Sequence, residues 1–186
     1  MRKIGLILLL TIFLNVLILP QRALPVIEPI DYPVGAITIV GGPDWIGFGN
    51  TPNANDYMVV TGNLSYTGYP MPESGNRIGV TSANHQDVYL SIVPQNGDGK
   101  KVYASFLLNV TGSSGTFLMQ YVFGDLGYPP VGFPSQGVRL YYRLNGTGTK
   151  FNLGTGRSGL PDSPTGGGYS GDLDFNTTYL IVVSYE

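Results

Sequence analysis

Hydrophobic and polar residues alternate with a period of two over several segments of this chain. The longest such segment spans residues 102–110 and has an apolar side chain at every second position: Val102, Ala104, Phe106, Leu108 and Val110. This spacing lines one face of a β-strand. The period returns at 117–123, after the glycine and serine residues of 112–115. The two segments therefore predict a β-hairpin.

A second regular alternation, at residues 138–144, separates an apolar face from a polar one. The apolar face comprises Val138, Leu140, Tyr142 and Leu144, and the opposite face comprises Arg139, Tyr141 and Arg143. A half-buried strand turns its apolar face toward the core. We therefore expect Arg139, Tyr141 and Arg143 to face water or a ligand.

Further strand patterns fill much of the remaining chain. Weaker ones lie at 36–40, 57–61, 63–67, 77–81, 88–93 and 151–153, and a strong one lies at 178–185. Beyond residue 23, no apolar stripe at helical spacing is longer than about two turns. The 27 glycines and 14 prolines suit tight turns, and the glycine-rich segment 154–171 is predicted to be a loop. These features predict an all-β fold, a two-sheet antiparallel β-sandwich.

The strong pattern at 178–185 is apolar on both faces, as is typical of a central strand with a neighbour on each side. No turn or polar tail follows it in the sequence. We therefore expect the sandwich to be incomplete, with further strands missing beyond this point.

An export signal is predicted at the start of the chain. Arg2 and Lys3 precede sixteen almost wholly apolar residues, 4–19, and Pro20 interrupts the run. The run is shorter than the about 20 residues of a typical membrane-spanning helix. We predict that residues 1–23 are a cleaved signal peptide and that 24–186 form one secreted or cell-surface domain with no membrane span. An uncleaved anchor is the alternative.

Charge and cysteine content exclude several classes of function. Residues 24–186 contain seven basic and twelve acidic residues, a net charge of −5, and lack the basic clusters that nucleic-acid binding requires. The chain has no cysteine, which excludes disulfides, thiolate nucleophiles and zinc ribbons. Its one histidine, His85, lies in a polar segment, where a solvated role is expected rather than general-base catalysis.

Several short blocks, in order along the chain, resemble a known family. They lie at 31–35, 45, 62–70, 102–111, 138–143, 151–154 and 176–186, and the Tyr-Ala-Ser-Phe-Leu-Leu-Asn-Val and Thr-Tyr-Leu blocks are the most specific. Their order is similar to that of the LamG-like, concanavalin A-like jelly-roll modules of secreted bacterial multidomain proteins. The resemblance covers residues 28–186 and implies a jelly-roll sandwich of the kind found in lectins and glucanases. It also implies that the family's last strands are absent here.

Carboxylates offer two kinds of candidate chemistry. Glycosidases of this fold use paired carboxylates, and their Glu-x-Asp-x-x-Glu signature is absent from the sequence, so we predict that the protein is not an enzyme. Asp172 and Asp174 are candidate Ca²⁺ ligands, since Ca²⁺ binds clustered oxygen atoms. The alternative for this pair is a structural role in a turn. We expect no other cofactor.

Aromatic residues make up 12% of the chain, and 13 of them are tyrosines. Sugars stack on Trp and Tyr and pair their hydroxyls with polar side chains in concave sites. The candidate glycan-binding residues are Arg139, Tyr141, Arg143 and Trp45; the alternative is that the tyrosines anchor strands and Trp45 fills the core. We expect a non-catalytic module that binds polysaccharide or a cell-surface glycan. The alternatives are a structural spacer of a larger extracellular protein and a glycoside hydrolase-like domain.

Overall fold

The computed structural model describes residues 22–47, 56–70, 74–81, 88–93, 95, 99–112, 121–124, 136–157 and 166–185. Within these residues the protein is mostly β-strand, and its strands form several antiparallel sheets. The all-β prediction is therefore confirmed at the level of fold class.

A four-stranded sheet occupies much of the second half of the chain. Its strands are β7 (Tyr121–Gly124), β8 (Gln136–Leu144), β9 (Phe151–Arg157) and β10 (Gly166–Tyr169), in the order β10-β9-β8-β7. Each strand is antiparallel to its neighbour, and Leu144 pairs with Phe151 across the β8–β9 turn. Chain order and sheet order therefore coincide, as in a β-meander.

A second, two-stranded sheet pairs β6 (Val102–Asn109) with β11 (Thr178–Tyr185). The ladder is regular from Thr178 opposite Asn109 to Tyr185 opposite Val102. The side of this sheet that carries Leu108 packs against the four-stranded sheet. The other side is open at Tyr103 and Val182, which are 66% and 61% exposed.

The two sheets share one hydrophobic cluster. Its buried members are Leu108 of β6, Leu140 and Tyr142 of β8, and Phe151 and Leu153 of β9. Partly buried side chains packed against them are Phe106, Val110, Leu144, Leu173, Phe175, Tyr179 and Ile181. Phe151 is fully buried and its ring centroid lies 5.5 Å from those of Tyr142 and Phe175. This cluster removes one apolar face of each sheet from water, which is the main stabilising term for such a pair of layers.

The first half of the chain forms two smaller sheets. Strands β1 (Gly35–Ala36), β3 (Met58–Val60) and β4 (Arg77–Gly79) form one in the order β1-β3-β4, and β2 (Trp45–Gly47) pairs with β5 (Val88–Leu90) in the other. A helical turn, α1 (Ile37–Val40), follows β1.

Two strand predictions in this half of the chain need correction, and one strand was not predicted. Only Ala36 of the segment predicted at 36–40 is strand, as the second residue of β1, and the rest is α1. The hydroxyl of Thr38 donates to the carboxylate of the fully buried Asp56, and Gly41 donates its N–H to Ile37 O at 2.8 Å. These bonds stabilise a tight turn over the extended conformation that the β-branched residues favour. The strand predicted at 63–67 is absent, and Trp45–Gly47 forms one that was not predicted.

Two predictions in the second half are also wrong, and a third lies partly outside the described residues. No β6–β7 pair occurs among the described residues, since β6 pairs with β11 and β7 with β8; residues 117–120 of the predicted hairpin lie outside the described part. The predicted loop 154–171 contains the end of β9 and all of β10. The strand at 178–185 was predicted to be central and buried on both faces. Within the described chain β11 has a single neighbour, β6, and its outer face is exposed at Val182.

Candidate functional site

The polar face of β8 does not present Tyr141 to solvent. The pairing register places Tyr141 and Arg143 on the side of the sheet opposite Leu140 and Tyr142, as the alternation predicted. Tyr141 is nevertheless only 3% exposed. The expectation that it faces water or a ligand is therefore wrong. The side chain of Arg139 lies outside the described part of the structure.

Arg143 and Tyr169 form the most distinctive pair on this face. The guanidinium carbon of Arg143 lies 3.5 Å from the ring centroid of Tyr169, and both side chains are half-buried. Gly154 of β9 pairs with Tyr141 on one side and with Tyr169 on the other. Because glycine has no side chain, this position leaves space between two aromatic residues of the neighbouring strands. A cation held over an aromatic ring is stabilised by the ring quadrupole.

Trp45, the remaining predicted glycan-binding residue, belongs to a different sheet. It lies in β2 opposite Leu90, and its backbone N–H donates to Gly41 O at 3.1 Å. Its indole is half-buried and packs on Gly41, where an added Cβ would lie 2.8 Å from Trp45 Cδ1. The indole N–H is buried without a hydrogen-bond partner in the described part of the chain. Trp45 and Arg143 therefore stand on separate sheets.

Asp172, one of the two predicted metal ligands, accepts hydrogen bonds from two asparagine amides. Asn145 Nδ2 donates to Asp172 Oδ2 and Asn152 Nδ2 donates to Asp172 Oδ1, both at 2.9 Å. The orientation of Asn145 follows from its surroundings, because its Oδ1 accepts the backbone N–H groups of Thr149 and Lys150. The amide nitrogen is thereby turned toward Asp172. These donors lower the pKa of Asp172, the Asn145 bond contributing most.

Asp174 has a different partner. Its Oδ1 lies 2.9 Å from Lys150 Nζ, an exposed ion pair that raises the pKa of Lys150. Its backbone N–H donates to the hydroxyl of Tyr179 at 2.8 Å. Between the two aspartates, Leu173 exchanges both backbone hydrogen bonds with Phe151, at 3.0 and 2.8 Å. The structure therefore places both carboxylates where they attach segment 172–174 to the β8–β9 turn and the start of β9.

A third polar cluster surrounds Arg22, which the sequence assigned to the signal peptide. Its Nη1 lies 2.9 Å from Glu28 Oε2, and its Nη2 donates to Asp44 Oδ2. Glu28 also accepts the Ile30 backbone N–H at 3.1 Å and the Tyr32 hydroxyl at 3.0 Å. Burial, and then the bond to Glu28, raise the pKa of Tyr32. The residues of this cluster have no shared spacing along the chain, so no sequence pattern reveals it.

The part of the chain that the structure describes holds neither a metal-binding cluster nor a membrane-spanning helix. It contains no group of three or more His, Cys, Asp and Glu side chains placed to hold a metal ion. None of the helices described is long and apolar enough to cross a bilayer. His85 lies outside the described part.

Comparisons with protein-family models, with curated proteins and with solved structures find no match to this chain. The resemblance to LamG-like modules therefore stays a prediction. What the structure defines is the class: a mostly β-strand protein with several antiparallel sheets.

Proposed function

We propose that this chain is a non-catalytic, extracellular β-sheet module that contacts carbohydrate through Arg143 and Tyr169. The observation that carries the proposal is the stacked pair itself, 3.5 Å from guanidinium carbon to ring centroid, on the sheet face that points away from the shared core. The stacking orients a planar group rich in N–H donors beside an aromatic ring. Sugars need both kinds of group, since their hydroxyls accept hydrogen bonds and their C–H faces contact aromatic rings.

The contacts of the acidic side chains support a non-catalytic role. Asp172 is held by two amides and Asp174 by Lys150, while Glu28 and Asp44 share Arg22. Each of these carboxylates is stabilised by a donor of the protein. A retaining glycosidase requires instead two carboxyl groups about 5–5.5 Å apart, facing a bound sugar.

We include in the same proposal the sandwich arrangement of the sheets and an extracellular location. The cluster shared by the β6–β11 sheet and the four-stranded sheet supports a two-layer sandwich, and jelly-roll connectivity rests on the resemblance to LamG-like modules. The basic and apolar residues at 2–19 support export from the cytoplasm.

The test is retention of the protein on a panel of immobilised polysaccharides. Tyr169→Ala removes the aromatic ring, and we expect it to weaken retention at least tenfold, or about 1.4 kcal/mol. Tyr169→Phe keeps the ring and should retain binding. The matched control is Tyr103→Ala, the same change at a tyrosine 66% exposed on the outer face of β6. Circular dichroism melting of each variant establishes that it is folded.

A structural spacer is the second candidate, and the burial of Tyr141 favours it. A spacer predicts that the wild-type protein is retained on none of the polysaccharides. Equal retention of wild type and Tyr169→Ala would show that the protein binds carbohydrate at a site other than the Arg143–Tyr169 pair.

A further inference from the structure

The backbone of Arg22 is part of the folded protein. Its N–H donates to Ser91 O at 3.0 Å, and its carbonyl oxygen accepts the N–H of Val93 at 2.8 Å. Together these bonds form a parallel bridge between Arg22 and Ile92, directly after β5. Residue 22 is therefore held as a short extra strand beside a segment about 70 residues further along the chain.

The side chain of Arg22 holds together two other segments. Glu28 precedes β1 and Asp44 precedes β2, and both carboxylates are bonded to the same guanidinium. The Arg22 and Glu28 side chains are 29% and 16% exposed, so this part of the network is partly shielded from water. A planar guanidinium is the group best suited to bridge two carboxylates, because its donors point in fixed directions. Without it, Glu28 and Asp44 would face each other's charge with no cation between them.

These contacts conflict with processing at the predicted site. A cut after Ala23 would remove Arg22, and with it both ion pairs and the bridge to Ser91 and Val93. Leader peptidases require a small residue immediately before the cut. Ala23 is the one alanine, glycine or serine between residues 12 and 34. The sequence therefore favours a cut after Ala23, whereas the contacts of Arg22 oppose it.

We propose that the exported protein retains Arg22, so that Ala23 is not the processing site and Arg22 is a structural residue of the extracellular domain. This inference rests on the export that forms part of the proposed function. It assigns the junction between leader and domain to the N-terminal side of residue 22. A leader left uncut meets this requirement, since residues 12–22 offer no alanine, glycine or serine before a cut.

The direct test is the N-terminus of the exported protein. The full chain is expressed in a bacterium with an active leader peptidase, recovered from outside the inner membrane, and analysed by intact mass and N-terminal sequencing. We expect a product that contains Arg22, and the same product from Ala23→Leu. A product that begins at Leu24 or later, and whose formation Ala23→Leu blocks, would overturn the proposal.

A second measurement separates this inference from the proposal of export. We expect Arg22→Ala in the full chain to lower Tm by about 3 °C or more. Arg22→Lys should recover part of the loss, because the lysine ammonium keeps the positive charge but lacks the several donors that the planar guanidinium directs at two carboxylates. The matched control is Lys100→Ala, which removes a basic side chain at an exposed position. If the chain is not exported, the export proposal fails, and the Tm of Arg22→Ala still decides the structural role: no difference from Lys100→Ala contradicts it.

Discussion

Phe151 is the side chain whose truncation tests most directly whether the two sheets share one core. It is fully buried at the first position of β9, and its ring contacts residues of both layers. Tyr142 of β8 lies 5.5 Å away between ring centroids, and Tyr179 of β11 lies 6.2 Å away in an edge-to-face arrangement. Phe151 therefore touches the four-stranded sheet and the β6–β11 sheet at the same time.

The expected magnitudes follow from this burial. Truncating a buried phenylalanine to alanine costs about 3–5 kcal/mol, from lost transfer energy and the cavity left behind. The whole free energy of unfolding of a domain is about 5–15 kcal/mol, so Phe151→Ala threatens folding itself. Phe151→Leu is the usable variant, with an expected loss of about 1–2 kcal/mol.

A double-mutant cycle between Phe151→Leu and Tyr179→Leu isolates the contact across the layers. Urea unfolding of the four proteins should give a coupling energy of about 0.5–1.5 kcal/mol, the value of an edge-to-face aromatic pair. The matched control pairs Phe151→Leu with Val182→Ala, because Val182 lies on the same strand but is 61% exposed on its outer face. If both cycles are additive within about 0.5 kcal/mol, the reasoning that joins the two sheets into one core is refuted.

Three further predictions follow from the β8–β9 region and from one turn. Tyr141→Ala should lower the free energy of unfolding by about 3–5 kcal/mol in urea, since the side chain is buried; wild-type stability would contradict its burial. Because its amide donors lower the pKa of Asp172, this residue stabilises the fold at neutral pH, and Tm should fall as the pH drops below the ordinary carboxyl range and through the lowered pKa. Asn145→Asp replaces the larger of the two donors by a carboxylate, so it should lower Tm at pH 7 and make the loss of Tm in acid smaller than in the wild type or reverse it; an unchanged pH profile would argue against the bond. Gly75→Ala should cost about 1–3 kcal/mol by thermal melting, because φ is +92° and the new Cβ would lie 2.8 Å from Pro29 O; a neutral effect would exclude this conformation.

Alternating segments of seven to nine residues were the part of the fold that sequence could predict. β6 and β8 were found close to their observed bounds, because each has one face in the shared core and its apolar spacing records that burial. β11 was found from a continuous apolar run, which gave its bounds but not which of its faces is buried. The pairing of these strands could not be obtained in the same way. A strand's pattern states which face is buried but not which neighbour lies beside it, so β6 was given to its nearest partner along the chain.

The errors have physical causes that act between distant residues. The glycines of β9 and β10 suggested a loop because glycine is a poor strand former on its own. Gly154 is nevertheless paired on both sides, and its lack of a side chain suits the tyrosines beside it. Tyr141 was expected in solvent because its side of the strand pattern carries two arginines. Alternation does not show whether other segments of the chain cover that face of the sheet.

The candidate site was predictable only in part. Arg143 and the aspartates at 172 and 174 were identified by residue type, but Asn145, Asn152 and Lys150, which hold the aspartates, were not. These partners come from other turns and strands, and no local spacing brings them together. Arg22 shows the same difficulty, since its position after an apolar run assigned it to a leader before its contacts could be known.

The pairing of β6 with β11 sets the order in which this chain can complete its structure. Asn109 and Thr178, at one end of that ladder, are 69 residues apart, and β7 to β10 are all made in the interval. The meander pairs strands that are adjacent along the chain, so it can form early. The apolar side of β6 is covered only after β11 has emerged from the ribosome, much later. Completion of the shared core therefore depends on a late pairing between distant segments, and the apolar face of β6 stays exposed to aggregation until that pairing forms.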